Sequence, residues 1–258
     1  MLSKNQIKHI HSLRLRKFRE ESGRFTAEGN KLVMDLLESR FRISGIYALR
    51  EWIDANSYAI NRKNVPVFEI NSAEMDRISQ LSTPSPVFAV FEIPTPVAPP
   101  AGIDLGWSLA LDDIRDPGNM GTIIRIADWF GVEVVLCSET CVDLYNPKVV
   151  QATMGSIARV KVIYCNLRNV LKEYVKSGEG QIYGAFLEGN SIYNDDLIKP
   201  GIVLIGNESR GISCELEQLV TRKIFIPSYG DAKGGKAESL NASVAAAIIC
   251  AEFRRKMI

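Results

Sequence analysis

The stretch LALDDIRDPGNMGTIIR, residues 109–125, changes character twice. Leu109–Ile114 reads as a strand, Asp116 to Asn119 is dense turn chemistry, and a helix begins near Asn119. The alternation continues downstream. Further strands are predicted at Val132–Cys137, Val160–Tyr164, Ile182–Leu187, Ile202–Ile205 and Ile224–Ile226. Helices are predicted to begin near Asn146, Leu167, Cys214 and Leu240. Apolar strands alternating with helices predict an α/β unit, with a mostly parallel sheet covered by helices on both faces. In such sheets ligands bind at the carboxyl ends of the strands.

Upstream, FEIPTPVAPPAGIDLG (residues 91–106) holds four of the eleven prolines, which makes a stiff, extended linker. It divides the chain into a first domain at 1–93, a linker at 94–106 and a second domain at 107–258. The first domain also mixes helix and strand. A helix is predicted over residues 3–21 with Ile7, Ile10 and Phe18 on one face, then a strand at Arg24–Glu28 and a helix at Asn30–Ser39. Strands follow at Ile43–Leu49, Val65–Ile70 and Val87–Ile93, with Ser72 capping a short helix.

Composition narrows the function. The 258 residues are 46% hydrophobic and 24% charged, enough for a core without staples and inconsistent with disorder or a disulfide scaffold. No apolar run reaches the length of a membrane span, and the basic, polar start is unlike a signal peptide. Five cysteines without framework spacing suit a reducing cytosol, and a cytoplasmic location is expected. The only histidines are His9 and His11, so histidine-based catalysis is excluded from the second domain. Cys137 and Cys141 lack a second ligand pair, so no metal site is expected. A net charge of +1 means that nucleic-acid binding must come from local patches.

Three loops could carry chemistry. The first places Asn119 and Gly121 at a helix mouth and Arg125 in what reads as its second turn, where a cation opposes the helix dipole and suits an anionic ligand. The second, Gly206-Asn-Glu208-Ser-Arg-Gly211, frames four polar residues with glycines, as a backbone passing close to a ligand requires. The third runs from Pro227 to Ser243. Its Gly230–Lys236 segment follows the phosphate-binding P-loop pattern, but Ala237 stands where the magnesium-binding hydroxyl belongs. Each loop also reads as an ordinary connection.

Taken together, the loops resemble the three motifs of the SpoU family of RNA ribose methyltransferases, within the SPOUT class. The first is Asp116-Pro-Gly-Asn119-Met-Gly121-Thr-Ile-Ile-Arg125-Ile-Ala-Asp128, and the second is Ile205-Gly206-Asn207-Glu208-Ser-Arg-Gly211-Ile212. The third is Ile224-Phe-Ile226-Pro227 with Ser239-Leu240-Asn241-Ala242-Ser243-Val244, lengthened here by several residues. The first domain, with Phe25-Thr-Ala-Glu28-Gly29-Asn30-Lys31, resembles the small α/β, ribosomal-protein-like substrate-binding domain often fused ahead of that catalytic domain.

The resemblance implies a deep trefoil knot, S-adenosyl-L-methionine bound largely by backbone groups, and a homodimer whose subunits complete each other's sites. It implies a catalytic cluster of Asn119, Arg125, Glu208, Ser239 and Asn241. Cofactor contacts are implied at Leu187, Ile205, Gly206, Gly211, Ile226, Pro227 and Leu240. The expected activity is methylation of a ribose 2′-hydroxyl in structured RNA (tRNA or rRNA), with no metal and no membrane. Arg125 would stabilise the developing alkoxide or act as base, and Glu208 is one possible proton acceptor. RNA contacts are expected from Arg14, Arg16, Lys17 and Arg24 in the basic N-terminal segment and from Lys233 and Lys236 in the lengthened loop. Two other readings stay open at this point: a catalytically inactive RNA-binding or assembly protein of the same fold, and a P-loop nucleotide hydrolase.

Overall fold

The computed structural model describes residues 2–95, 107–178, 180–193, 201–230 and 238–257. The chain forms two compact units: Met1–Thr95 with Asp143–Arg159, and Pro96–Val142 with Val160–Ile258.

In the first unit, α1 (Lys4–Ser12) opens with a reciprocal cap between Ser3 and Gln6, and α2 (Arg16–Ser22) ends on Gly23, whose φ of 63° suits a residue without a side chain. The single helix expected over 3–21 is therefore two. The break re-aims the second helix: Ile7 and Ile10 are buried, whereas Phe18 is exposed and Arg19 turns inward. Then come β1 (Arg24–Glu28), α3 (Asn30–Leu37), β2 (Ile43–Ala48), α4 (Arg50–Ala55), α5 (Ser57–Lys63), β3 (Val67–Glu69), α6 (Ser72–Ile78) and β4 (Val87–Glu92). The sheet order is β1-β4-β2-β3, with β4 antiparallel to both neighbours and β3 parallel to β2. Asn71 rather than Ser72 caps α6, exchanging hydrogen bonds with Glu74.

The second unit runs β5 (Trp107–Leu111), α7 (Pro117–Trp129) and β6 (Val134–Ser138), before the chain leaves it for α8 (Pro147–Thr153) and a 3-10 turn at Ser156–Ala158. It resumes with β7 (Lys161–Cys165), α9 (Leu167–Lys176), β8 (Gln181–Ser191), β9 (Gly201–Ile205), α10 (Cys214–Glu217), β10 (Arg222–Phe225) and α11 (Ala242–Met257). The six strands are all parallel, in the order β10-β8-β9-β5-β6-β7.

Alternate strand residues face opposite layers, as the two-residue strand period requires. Ala110, Leu136, Ile163, Ile182, Ile202 and Leu204 form one core with Leu167 and Leu171 of α9 and Leu216 of α10. On the other face, Trp107 of β5 and Tyr183 of β8 pack on Phe253 of α11 at 4.7 and 4.9 Å between ring centroids, and α11 packs along α7. Arg254 of α11 donates to the carbonyls of Phe130 (2.5 Å) and Gly131 (2.8 Å), capping the carboxyl end of α7.

The segment 143–159, placed by the sequence reading in the 107–258 domain, packs with the first unit. Arg19 is 2% exposed and ion-pairs with Asp143 at 2.5 Å, while also donating to the carbonyls of Leu13 and Arg14. Tyr145 lies 4.9 Å from the fully buried ring of Phe25, and α8 lies along β1. Gly155 has a φ of 95°, and a Cβ there would come within 2.2 Å of Asp35. The physical reason is that β1 is an edge strand whose apolar face needs a cover, which α8 supplies with Val149 and Val150.

Candidate active site

The site forms where β5 and β9, adjacent and parallel, reach their carboxyl ends. Asp112 ties the two together: its N–H donates to the carbonyl of Ile205 (2.9 Å), and its carboxylate accepts from the Ser213 N–H (2.8 Å). Beyond it, Asp116 caps α7 by accepting from the Asn119 N–H at 2.8 Å, with Pro117 pre-set at the first helical position.

The 206–211 loop folds back on itself. The backbones of Asn207 and Gly211 exchange hydrogen bonds of 3.0 and 2.9 Å. The Asn207 side-chain carbonyl accepts from the N–H groups of Ser209 and Arg210, and its amide donates to the Asp113 carbonyl at 2.8 Å. Gly206 is obligatory: a Cβ there would lie 2.2 Å from the Gly211 carbonyl carbon and 2.3 Å from the Ile212 nitrogen. Gly211 has a left-handed φ of 69°.

A line of side chains crosses this junction. The Asn241 amide donates to the side-chain oxygen of Asn119 (2.8 Å), and the Asn119 amide donates to the Glu208 carboxylate (2.8 Å). Asn241 is itself fixed, because its oxygen accepts from the N–H and hydroxyl of Ser243 at the start of α11. Residues 119, 208 and 241 come from three distant parts of the chain. Asn119 is buried with donor and acceptor both engaged, and Glu208 keeps an exposed carboxylate as a pure acceptor. Together with Arg115, Asp116, Pro117, Asn207, Ser209 and Arg210 they line one cleft.

Arg125 does not line that cleft. The helix begins at Pro117, so Arg125 is its ninth residue, in the third turn rather than the second. The helix-dipole argument for it therefore does not hold. It lies on an exposed face of α7 with Thr122 and Trp129, the latter 84% exposed, and makes no hydrogen bond or ion pair among the described residues. Ser239 is exposed just before α11 and is likewise not among the cleft residues.

Of the expected cofactor contacts, Ile205 is buried at the end of β9, and Ile226 and Pro227 are half-buried beyond β10. Leu187 and Leu240 are 73% and 48% exposed. Leu187 lies within residues 185–189, which bulge between the Gly184–Lys223 and Asn190–Ile224 pairings of β8 with β10. Two uncovered leucines and a loop whose backbone tolerates no Cβ at Gly206 suit a ligand with a flat apolar part and backbone-bound polar edges.

The basic N-terminal residues are partly engaged. Arg14 donates to the Ser79 carbonyl, Arg16 and Lys17 pair with Glu20 and Glu21 one turn on, and Arg24 is exposed. Lys233 and Lys236, and with them most of the P-loop-like segment, lie outside the described residues. Among the described residues no cluster of three His, Cys, Asp or Glu could hold a metal, and no helix is long and apolar enough to cross a membrane.

Four residues without a role in the three motifs also belong to the site: Asp112, Asp113, Arg115 and Arg210. Asp113 has a φ of 58°, rare for a residue with a side chain. Its N–H donates to the Ser138 hydroxyl at 2.9 Å, and its carboxylate pairs with both Arg115 (2.9 Å) and Arg210. Burial pushes the Asp113 carboxyl up, but hydrogen bonds from Arg115 and Thr140 and the charges of both arginines outweigh it, leaving the pKa below the usual aspartate value. The available signal was the Asp-Asp pair at a strand end followed by alternating arginine.

The chain is similar to known proteins along its length. Residues 106–251 match the SpoU rRNA Methylase family, and residues 4–89 match the MRM3-like substrate binding domain. It is 28% identical to the 23S rRNA (guanosine(2553)-2′-O)-methyltransferase of Bacillus subtilis, over 98% of this chain and 97% of that one. It is 27% identical to human mitochondrial rRNA methyltransferase 3, over 94% of this chain and 70% of that one. A TrmH-family structure from Porphyromonas gingivalis superposes with a TM-score of 0.85 at 39% identity, covering 99% of both chains. An AdoMet-bound rRNA methyltransferase from Sinorhizobium meliloti superposes at 0.84 with 29% identity, over 100% of this chain and 97% of that one. The family match takes in the glycine- and lysine-rich stretch, so the P-loop hydrolase reading falls. With three motifs in order, a cleft built from them and a match over more than half its length, the chain belongs to the SpoU rRNA Methylase family.

Proposed function

We propose that the protein transfers a methyl group from S-adenosyl-L-methionine to a ribose 2′-hydroxyl of structured RNA, with ribosomal RNA as the substrate. The observation that carries this reading is the Asn241–Asn119–Glu208 chain at the carboxyl ends of the parallel strands. The presence of Asn119, Arg125, Glu208 and Ser239 together also favours an active enzyme over an inactive assembly factor. Gly206, Ile226, Pro227, Leu240 and Leu187 would hold the cofactor, with Ile205 and Gly211 shaping the loop. When bound, the cofactor supplies a methyl group already activated by the positive charge on sulfur.

The residues then have two tasks. One is to orient the ribose, for which the amide chain offers fixed donors and acceptors and Ser239 an exposed hydroxyl. The other is to take up the hydroxyl proton. Glu208 is an acceptor-only group steadied by Asn119, and it or the adjacent RNA phosphate receives that proton. Arg125 stabilises the oxygen as negative charge develops. Its placement on the outer face of α7 supports a homodimer in which each subunit lends Arg125 to its partner's cleft. Exposed Trp129 and Val244, on the packed helices α7 and α11, give that interface apolar area. The all-parallel order, with β9 inserted between β8 and β5, supports a trefoil knot formed by the last segments. Residues 1–93, with the N-terminal arginines and the lysines at 233 and 236, serve RNA capture, and the setting is the cytoplasm.

The test is calorimetry with S-adenosylhomocysteine, together with methyl transfer to an unmodified 23S rRNA transcript and mapping of the modified ribose. Binding of the thioether with methylation at one ribose is expected. Binding without transfer to any rRNA or tRNA transcript would leave the inactive reading standing.

A further inference from the structure

The carboxylate at Asp113 gathers more positive charge than it neutralises. Its side chain is 13% exposed, while the arginines on it, Arg115 and Arg210, are 63% and 66% exposed. A guanidinium has five N–H donors, and among the described residues each of these uses one. Two cations on one anion give this trio a net charge of +1, and both arginines line the same cleft as Asn119 and the carboxylates of Asp116 and Glu208.

The arrangement is held rigidly. Asp113 keeps a left-handed backbone because its N–H is fixed by Ser138 and its carbonyl by Asn207. Arg210 is steadied by its own N–H to the Asn207 side chain at 3.1 Å. Backbone strain of this kind persists only where its surroundings over-determine it, and it concentrates at ligand sites. Exposed ion pairs contribute little stability, so stability alone does not account for the construction. Fixing one edge of a guanidinium leaves the opposite edge pre-oriented, and that edge matches two oxygens of an anion.

We propose that Arg115 and Arg210, set on Asp113 at the rim of the cleft, grip a phosphodiester of the RNA beside the ribose to be methylated. The inference rests on the reading of the cleft as a ribose methyltransferase site. The anion chemistry is shared by the carboxylate of the cofactor. The phosphodiester is favoured because both arginines are largely exposed and the cleft they line includes neither Leu187 nor Leu240. Asp113 is a positioning residue and does not itself touch RNA.

The experiment compares wild type with Arg115→Ala, Arg210→Ala, the double alanine variant and the double lysine variant. The probe is an unmodified 23S rRNA transcript bound and methylated over a salt series, with S-adenosylhomocysteine calorimetry and thermal midpoints run alongside. The double alanine variant should raise KM for RNA by about tenfold or more while kcat changes far less, and should flatten the log K against log salt slope by about one to two units. The double lysine variant should restore the slope but only part of the KM, because an ammonium supplies charge without the fork. S-adenosylhomocysteine affinity should stay within about twofold of wild type, a difference of only a few tenths of a kcal/mol. Unchanged KM and salt slope in a folded double alanine variant would overturn the proposal. Lost S-adenosylhomocysteine binding with an unchanged salt slope would assign the arginines to the cofactor instead. Failure of the underlying reading looks different: wild type itself would then neither bind the thioether nor methylate RNA.

Discussion

At the scale of single residues, the site rests on a contrast between Asn119 and Arg125. They are six positions apart on α7, which turns their side chains to different faces of the helix. Asn119 is buried and doubly hydrogen-bonded inside the cleft, whereas Arg125 is exposed and unpaired among the described residues. Arg125→Ala should therefore reduce turnover by about a hundredfold or more while thermal midpoint and S-adenosylhomocysteine affinity hold. A variant keeping more than about a tenth of wild-type turnover would remove Arg125 from the mechanism. The same two residues test whether the site is shared. Co-expressed Arg125→Ala and Asn119→Ala chains should recover about a quarter of wild-type activity, since half the dimers are mixed and each carries one intact site. No recovery would place Arg125 and Asn119 of one chain in one site.

At the scale of elements, α8 is the piece whose neighbours differ most from what chain order suggests. It follows β6 and precedes β7, yet it serves the first unit as a cover for β1. The Arg19–Asp143 pair fixes its approach, with Arg19 almost wholly buried. Removing one partner of such a pair leaves a charge without compensation in a poorly solvated place. Asp143→Ala should destabilise the protein by about 3–5 kcal/mol, and Asp143→Asn by less because an amide still accepts from Arg19. Urea unfolding reads this directly. A change in midpoint no larger than that of an exposed control such as Glu20→Ala would mean that Arg19 is adequately held by the Leu13 and Arg14 carbonyls alone.

For the whole molecule, the consequence is that cutting at the proline-rich stretch does not separate two self-sufficient parts. The proline density suggested that few contacts would be lost by removing residues 1–95. That removal takes away β1, Phe25 and Arg19, against which residues 143–159 pack. The truncated chain should bind a hydrophobic dye and be cleaved by protease within 143–159, where the full chain resists. Equal resistance in both would show that α8 stays folded without the first unit.

Much of the fold was legible because it depends on local patterns. Apolar runs of strand length between turn clusters located five of the six strands of the second unit to within three residues at either end. Only β8 ran further, ending at Ser191 rather than near Leu187. Two parts of the fold were not legible: the break between α1 and α2, where a buried Leu13 outweighs helix periodicity, and α4 and α5, which carry no strong apolar stripe. The motifs named Asn119, Glu208 and Asn241, but only folding joins residues 119, 208 and 241 into one hydrogen-bonded line. Likewise, Asp113, Arg115 and Arg210 are an unremarked acid and two arginines until β5 and β9 lie side by side and bring their loops into register. The sequence by itself determined which segments are strand and helix and which residue types could do the chemistry, since both follow from neighbours along the chain. Tertiary structure alone decided which charges meet, which arginine faces the cleft and which unit owns α8, because those depend on contacts between segments that the chain order keeps far apart.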